Sequence, residues 1–364
     1  MTKLLPLHDL YSDYLIVNQG AATAVGLSAM LEGQVSHDAI TRCLHQDDYG
    51  SAQLWQVVKP LIREIDQKDT NDAFLIFDDT LDERPCLQTN PIVRYHYDHC
   101  QGRSVQGINQ LNALYHCQSV SLPVAYEVIH KDRPVVDAKT GKIRYVSKYS
   151  KHQLLRQMVR QCLTNGLIFK YVLADKWYAC ADTFACLHQL ECQFIMPIKA
   201  NRLISVGPQP PAVGEHRPIS ELVIEPYQTL VVWLKGVDFP LTLVKQVLKD
   251  GDSTSEVRYL VSNDLRADGH TLSTAYGHRW QVEQLHKSTK SNTGYGQSPA
   301  HRLRSQKTHI FLAMLAYVKL ESVKLATHQN HFALKKLLAL DALKVAYRRW
   351  QDMKTMLSPS LKAA

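Results

Sequence analysis

The sequence has no apolar stretch of membrane-spanning length. Its longest, Ile310 to Val318 (IFLAMLAYV), is about half of what a bilayer requires. The first residues, MTKLLPLHDLYSDYL, lack the unbroken apolar core of a secretory signal, because Pro6, His8 and Asp9 interrupt it. Neither GxxxxGK[ST] nor GxGxxG occurs, so the chain offers no nucleotide-cofactor cradle. The eight cysteines form no CxxC pair and read as reduced, mostly buried thiols rather than a disulfide framework. His96, Asp98, His99 and Cys100 crowd together in HYDHC, but without a second ligand pair zinc is not indicated. Low-complexity tracts and internal repeats are also missing. These absences leave a globular protein with no membrane span and no nucleotide cofactor, expected in the cytoplasm.

What is present is length and an uneven charge. A chain of 364 residues can bury a sizeable core in two or three domains. Lys and Arg number 42 against 34 Asp and Glu, and from His301 to Ala364 the balance is twelve against three. The whole excess therefore lies in the last sixth of the chain, including Arg302, Arg304, Lys307, Lys335, Lys336, Arg348 and Arg349. Such a segment suits a polyanion, since each phosphate neutralised releases condensed counterions.

The pattern divides the chain into five stretches. Residues 1–70 read as helical. An apolar-periodic segment stops near Glu32 and Gly33, and Ser36 can cap a second helix with Ala39, Ile40, Cys43 and Leu44 inward. That is a helix-turn-helix layout, in which Thr41, Arg42 and His45 face outward toward DNA. Residues 71–200 alternate strands and helices: AFLIFDDT (Ala73 to Thr80), SVQGINQLNALYHC, SVSLPVAYEVIH, the helix HQLLRQMVRQCL, the strand in LIFKYVLADKWY, then a helix and strand in FACLHQLECQFIMPIKANR. Residues 201–264 shift to a proline-rich loop and the β-rich runs TLVVWLKGV, LTLVKQVLK and EVRYLVSND, expected as an inserted all-β subdomain. Helix returns in 265–320 and continues through a basic helical region, 321–364.

Two core strands end in acids, at Asp78 and Asp79 and again at Asp175. Desolvating a carboxylate is costly without a compensating cation, so a repeated acid at strand ends points to a site. A third acid lies in YGHRWQVEQLHKSTK. At about 100° per residue, Arg279, Glu283 and Lys290 fall within about 60° of Tyr276, forming one stripe of a single helix. Three carboxylates from two strands and a helix can hold two divalent ions about 4 Å apart for phosphodiester chemistry.

With these residues in place, the chain resembles the DDE transposases of bacterial insertion sequences, most closely the IS4-like group and its IS701-like relatives. Their signature Tyr-x2-Arg-x3-Glu-x6-Lys is matched by Tyr276, Arg279, Glu283 and Lys290. The resemblance spans roughly Ala73 to Leu320. It implies an α/β, RNase H-like catalytic domain with an inserted all-β subdomain, flanked by helical N-terminal and C-terminal regions. It implies Asp79, which precedes Thr80, with Asp175 and Glu283 as ligands of two Mg²⁺ ions, Mn²⁺ substituting. Tyr276, Arg279 and Lys290 would hold DNA phosphates, and Trp233 would stack a flipped base, with Trp177 and Trp280 as rivals. The implied function is binding of the element's inverted repeats, cleavage, and joining of the 3′-OH ends to target DNA by a homodimer on paired ends. A nuclease that cuts without joining, and an inactive DNA-binding descendant, are the alternatives.

Overall fold

The computed structural model describes residues 6–46, 48–66, 72–99, 101–138, 140–212, 214–250 and 253–356. The chain forms two compact units, one of residues 1–48 with 287–364, the other of residues 49–286. No helix among the described residues is long and apolar enough to cross a membrane.

The first unit opens with helices α1 (Pro6–Val17), α2 (Ala24–Met30) and α3 (His37–Gln46). Between α2 and α3 the chain turns where Glu32 and Gly33 adopt positive φ, and Ser36 accepts the Ala39 N–H at 3.2 Å as the cap of α3. Ile40 and Cys43 are buried, as their spacing requires, while Thr41 and Arg42 are exposed.

The second unit begins with α4 (Ser51–Asp66) and continues through β1 (Ala73–Glu83), β2 (Arg94–Asp98), β3 (Arg103–Cys117), β4 (Val120–Val128), and the short strands β5 (Arg133–Val136) and β6 (Ile143–Val146). It then runs through α5 (Lys151–Thr164), β7 (Tyr171–Ala174), α6 (Ala181–Gln189), β8 (Phe194–Ile198), β9 (Leu203–Val206), β10 (Arg217–Pro218), β11 (Thr229–Leu234), β12 (Leu241–Asp250), β13 (Ser253–Ser262), α7 (Gly269–Gly277) and α8 (Trp280–Asn292), which runs on into the first unit. There α9 (Leu303–Thr327) and α10 (His331–Thr355) follow. In α9, Glu321 is almost fully buried, yet it meets both Lys324 and, at 2.9 Å, His331 at the start of α10.

One eleven-stranded mixed sheet organises the second unit. At its centre β4, β3, β1, β7 and β8 are neighbours in that order; β3 runs antiparallel to β1 and β4, and β7 lies parallel to β1 and β8. With a helix, α5, between β4 and β7, this is a mixed α/β arrangement consistent with an RNase H-like fold. Leu75, Ile76 and Phe77 of β1 and Val172 and Leu173 of β7 are fully buried, which explains their unbroken apolar runs.

Three expectations from the sequence differ from this structure. The acids of β1 are not at its end: the strand continues to Glu83, because β3 pairs with it along its whole length. The β-rich segment is not a separate sheet, since β13 pairs antiparallel with β8 and so carries β9 to β12 on as an extension of the central sheet. The Tyr276-to-Lys290 stripe is not one helix. The His278 N–H bonds to Ala275 O and the Arg279 N–H to Tyr276 O, a tight i to i+3 turn directly after Gly277 that ends α7 and lets α8 start afresh. β2 and the β5–β6 ribbon had no counterpart in the sequence reading.

Candidate active site

Consecutive strand residues point to opposite faces of a sheet, so Asp78 and Asp79 are separated by the backbone that joins them. The parallel register of β1 and β7 runs from Phe74 opposite Tyr171 to Phe77 opposite Ala174. Asp78 is the next residue on β1, while Asp175 follows the last residue of β7 as the cap of a short 3-10 turn, near enough for its charge to act on Asp78. Asn112 of β3, paired with Asp78, shares its face.

Arg279, in the turn before α8, reaches the same face. Its Nη1 donates to Asp78 Oδ2 at 3.2 Å, and its Nη2 to Glu283 Oε1 one helical turn on. Asn112 Nδ2 lies 3.0 Å from Nε2 of His286, the residue three after Glu283, and Gln110 Nε2 donates to Asn112 Oδ1 at 2.6 Å. Asp78, Asp175, Arg279 and Glu283 thus form one neighbourhood. Burial pushes the Asp78 carboxyl up to about 7; Arg279 opposes the rise, while Asp79 and Asp175 add to it. Burial alone would weaken the charge on Arg279, but Tyr276, Asp78 and Glu283 outweigh it and hold the guanidinium protonated.

Asp79 belongs to the opposite face. Its Oδ2 accepts from Lys151 Nζ at 2.7 Å and from Asn109 Nδ2 at 2.9 Å, and its Oδ1 from the Tyr178 hydroxyl at 2.7 Å. Burial acts to raise this carboxyl too, but Lys151 and the three hydrogen bonds win, so it stays below the usual carboxylate range. The sequence selected Asp79 because Thr80 follows it; in the structure the acid that Arg279 links to Glu283 is Asp78, and Asp79 is held by Lys151, Asn109 and Tyr178.

The other residues singled out by sequence are placed as follows. Tyr276 is only 3% exposed, with Arg258 over its ring and with Arg279, Asp175 and Asp78 near enough to act on its phenol. Lys290 is exposed on α8, two turns or about 10 Å along the axis from Glu283. Trp233 is half-buried on β11, whereas Trp177 and Trp280 are 43% and 55% exposed. Thr41 donates its hydroxyl back to His37 O at 2.9 Å. Cys100 lies outside the described residues. Sequence reasoning missed Asn112, Lys151 and Tyr178, which no local pattern marks. His286 could have been found, because i+3 from Glu283 puts it on the same face of α8.

The family described as DDE superfamily endonuclease matches residues 7–230, well over half of the chain. The chain belongs to this family. The match contains Asp78, Asp79 and Asp175 and ends before Glu283. No curated protein matches the chain. Among solved structures, the C-terminal lobe of a budding yeast Argonaute is similar at 11% identity, with a TM-score of 0.24, over 78% of this chain and 57% of its own. The chain thus spans less than two thirds of that protein.

DDE endonucleases generally use divalent metal ions. Among the described residues no group of three or more His, Cys, Asp or Glu is gathered in a ligating arrangement. The donor chemistry nevertheless fits: Asp78, Asp175 and Glu283 offer only carboxylate oxygens, which suit hard cations. Two of them already share a cation, the Arg279 guanidinium.

Proposed function

We propose that this DDE endonuclease is the transposase of a bacterial insertion sequence of the IS4-like or IS701-like group. It binds the terminal inverted repeats, cleaves phosphodiester bonds there and joins the freed 3′-OH ends to target DNA. The observation that carries the reading is Arg279 tying Asp78 to Glu283, with Asp175 near enough for its charge to act on Asp78. The match of Tyr276, Arg279, Glu283 and Lys290 to the group's signature supports the finer assignment.

In this reading Asp78, Asp175 and Glu283 hold divalent ions, Mg²⁺ with Mn²⁺ able to substitute. When bound, such ions supply a sharpened oxygen nucleophile and a stabilised leaving oxygen. Arg279 orients two of the carboxylates, and its charge opposes the burial that pushes Asp78 up. The Asn112–His286 pair fixes α8 against β3, which sets the distance of Glu283 from β1. Lys290 contacts DNA phosphates, and Thr41 and Arg42 of α3 contact the element ends. The segment 201–264, with Trp233, serves as the β insertion of the group even though its strands extend the central sheet. The protein acts as a homodimer on paired ends in the bacterial cytoplasm.

The test is incubation of the purified protein with linear DNA carrying its gene and flanking sequence, with Mg²⁺ or EDTA. Metal-dependent cuts at a pair of inverted repeats, followed by joining to a plasmid, are expected. Cuts without joined products would establish a nuclease instead, and binding without cuts an inactive descendant.

A further inference from the structure

The face of the sheet opposite the acids carries a second cluster, which the endonuclease chemistry does not use. His96 of β2 pairs with Val105 of β3, and the alternation along β3 puts both on the side of Asn109 and Asp79. His96 is only 8% exposed, and its buried Nε2 has no hydrogen-bond partner among the described residues. A buried polar nitrogen left unpaired costs free energy, so such an atom marks a place where a partner belongs.

Two lysines converge on that place. Lys131, just after β4, is anchored by its Nζ donating to Tyr95 O at 2.6 Å. Lys151, at the start of α5, is held by Asp79 and lies with its Nζ 4.6 Å from the centre of the Trp177 ring, which stacks on His152 at 4.1 Å. The Lys151 side chain remains 27% exposed, so the cluster opens to solvent. Both ammonium groups act on His96, and Lys151 also acts on Lys131. Burial and Lys151 together bring Lys131 down to about 8, while burial, Lys131 and Lys151 bring His96 down to about 3. His96 is thus a neutral ring, able to donate through an Nε2–H tautomer. Two nearby cations, one carboxylate, and a buried neutral donor without a hydrogen-bond partner among the described residues make an arrangement that an anion completes.

The chain between the two lysines adds length to this site. From His130 to Lys151 the sequence holds seven Lys and Arg against two Asp. It folds into the β5–β6 ribbon, paired from Arg133 opposite Val146 to Val136 opposite Ile143, with all of β5 and the first three residues of β6 exposed. Arg94 fixes its base, stacking over Tyr145 at 3.9 Å and donating to Lys131 O at 3.3 Å. A two-stranded ribbon is one of the few elements narrow enough to enter a DNA major groove.

We propose that His96, Lys131 and Lys151 form a binding site for a DNA backbone phosphate, with the β5–β6 ribbon extending the contact along the duplex through Arg133 and Arg144. The choice of DNA as the phosphate's source rests on the endonuclease reading. The site lies across the sheet from Asp78 and Asp175, so it positions the duplex and touches no reacting atom.

The experiment measures the affinity of the full chain for a labelled random-sequence duplex across a salt series, by fluorescence anisotropy in EDTA. Lys131→Gln should weaken binding several-fold and lower the slope of log Kd against log salt by about one, because one phosphate contact is lost. Arg133→Gln with Arg144→Gln, on an exposed ribbon where folding is not at stake, should lower it by about two. His96→Phe should weaken binding with the slope unchanged, since the ring carries no charge. Unchanged slopes for Lys131→Gln and the ribbon pair would overturn the proposal. So would protection from thermal unfolding by inorganic phosphate alone with those slopes unchanged, which would mean a small-anion site. If the slopes fall but the wild type cuts no DNA under Mg²⁺, the phosphate site stands and the endonuclease reading fails.

Discussion

Asp78 and Asp79 are adjacent and chemically identical, yet the sheet gives them opposite electrostatics. Asp79 has a lysine, an amide and a phenol; Asp78 has one arginine shared with Glu283, and a second carboxylate beside it. A sign follows for the metal-free protein. The folded Asp78 stays protonated up to about pH 7, whereas in the unfolded chain it ionises near 3.8. Between those values the unfolded chain gives up a proton that the folded chain keeps, so stability falls as pH rises through that window. A shift of this size corresponds to a few kcal/mol at most. In EDTA, Asp78→Asn should therefore melt above wild type at pH 8, with the difference shrinking toward pH 4. An equal difference at both pH values would contradict the account. The sequence made both acids conspicuous but could not choose between them, because the choice depends on which face α8 covers and on the register of β1 with β7. Both are set by contacts about a hundred residues or more away.

At the scale of elements, periodicity located the buried strands β1, β3, β7 and β8 and the helix α5 well, since each buries an apolar face that repeats along the chain. It failed where tertiary pairing decides. The runs that became β11 to β13 looked like a module of their own, but the edge of β8 was available and β13 took it, with Val261 opposite Met196 and Leu260 opposite Pro197. Leu260→Ala should consequently cost about 2–5 kcal/mol and lower the melting of the whole sheet rather than of a separate insertion. Calorimetry would show one shifted transition for that unit; a small early transition beside an unchanged main one would restore the separate module. In the helical unit, Glu321→Ala should cost about 3–5 kcal/mol, because it leaves His331 and Lys324 without the buried carboxylate that pairs them. Denaturant unfolding checks this, and a loss under 1 kcal/mol would mean that the pairing is not integral to the helical packing.

For the whole molecule, composition pointed to a polyanion through the basic C-terminal sixth, and the four-residue signature pointed to the acids. The ribbon and its two lysines stayed hidden, since the seven basic residues from His130 to Lys151 are spread through a stretch with no strong periodicity. What the sequence conveyed best was chemistry held in local spacing, as with Arg279 and Glu283 four residues apart. What it conveyed least was the partnership of residues far apart, as with Asn112 and His286. The most direct test of the account is a comparison of Asp78→Asn and Asp79→Asn in Mg²⁺-dependent cleavage of DNA carrying the element ends. Asp78→Asn should lose about a thousandfold or more in rate, as expected when several kcal/mol of charge stabilisation disappear, while still binding the ends. Asp79→Asn should keep measurable cleavage. An inactive Asp79→Asn beside an active Asp78→Asn would contradict the assignment of the site.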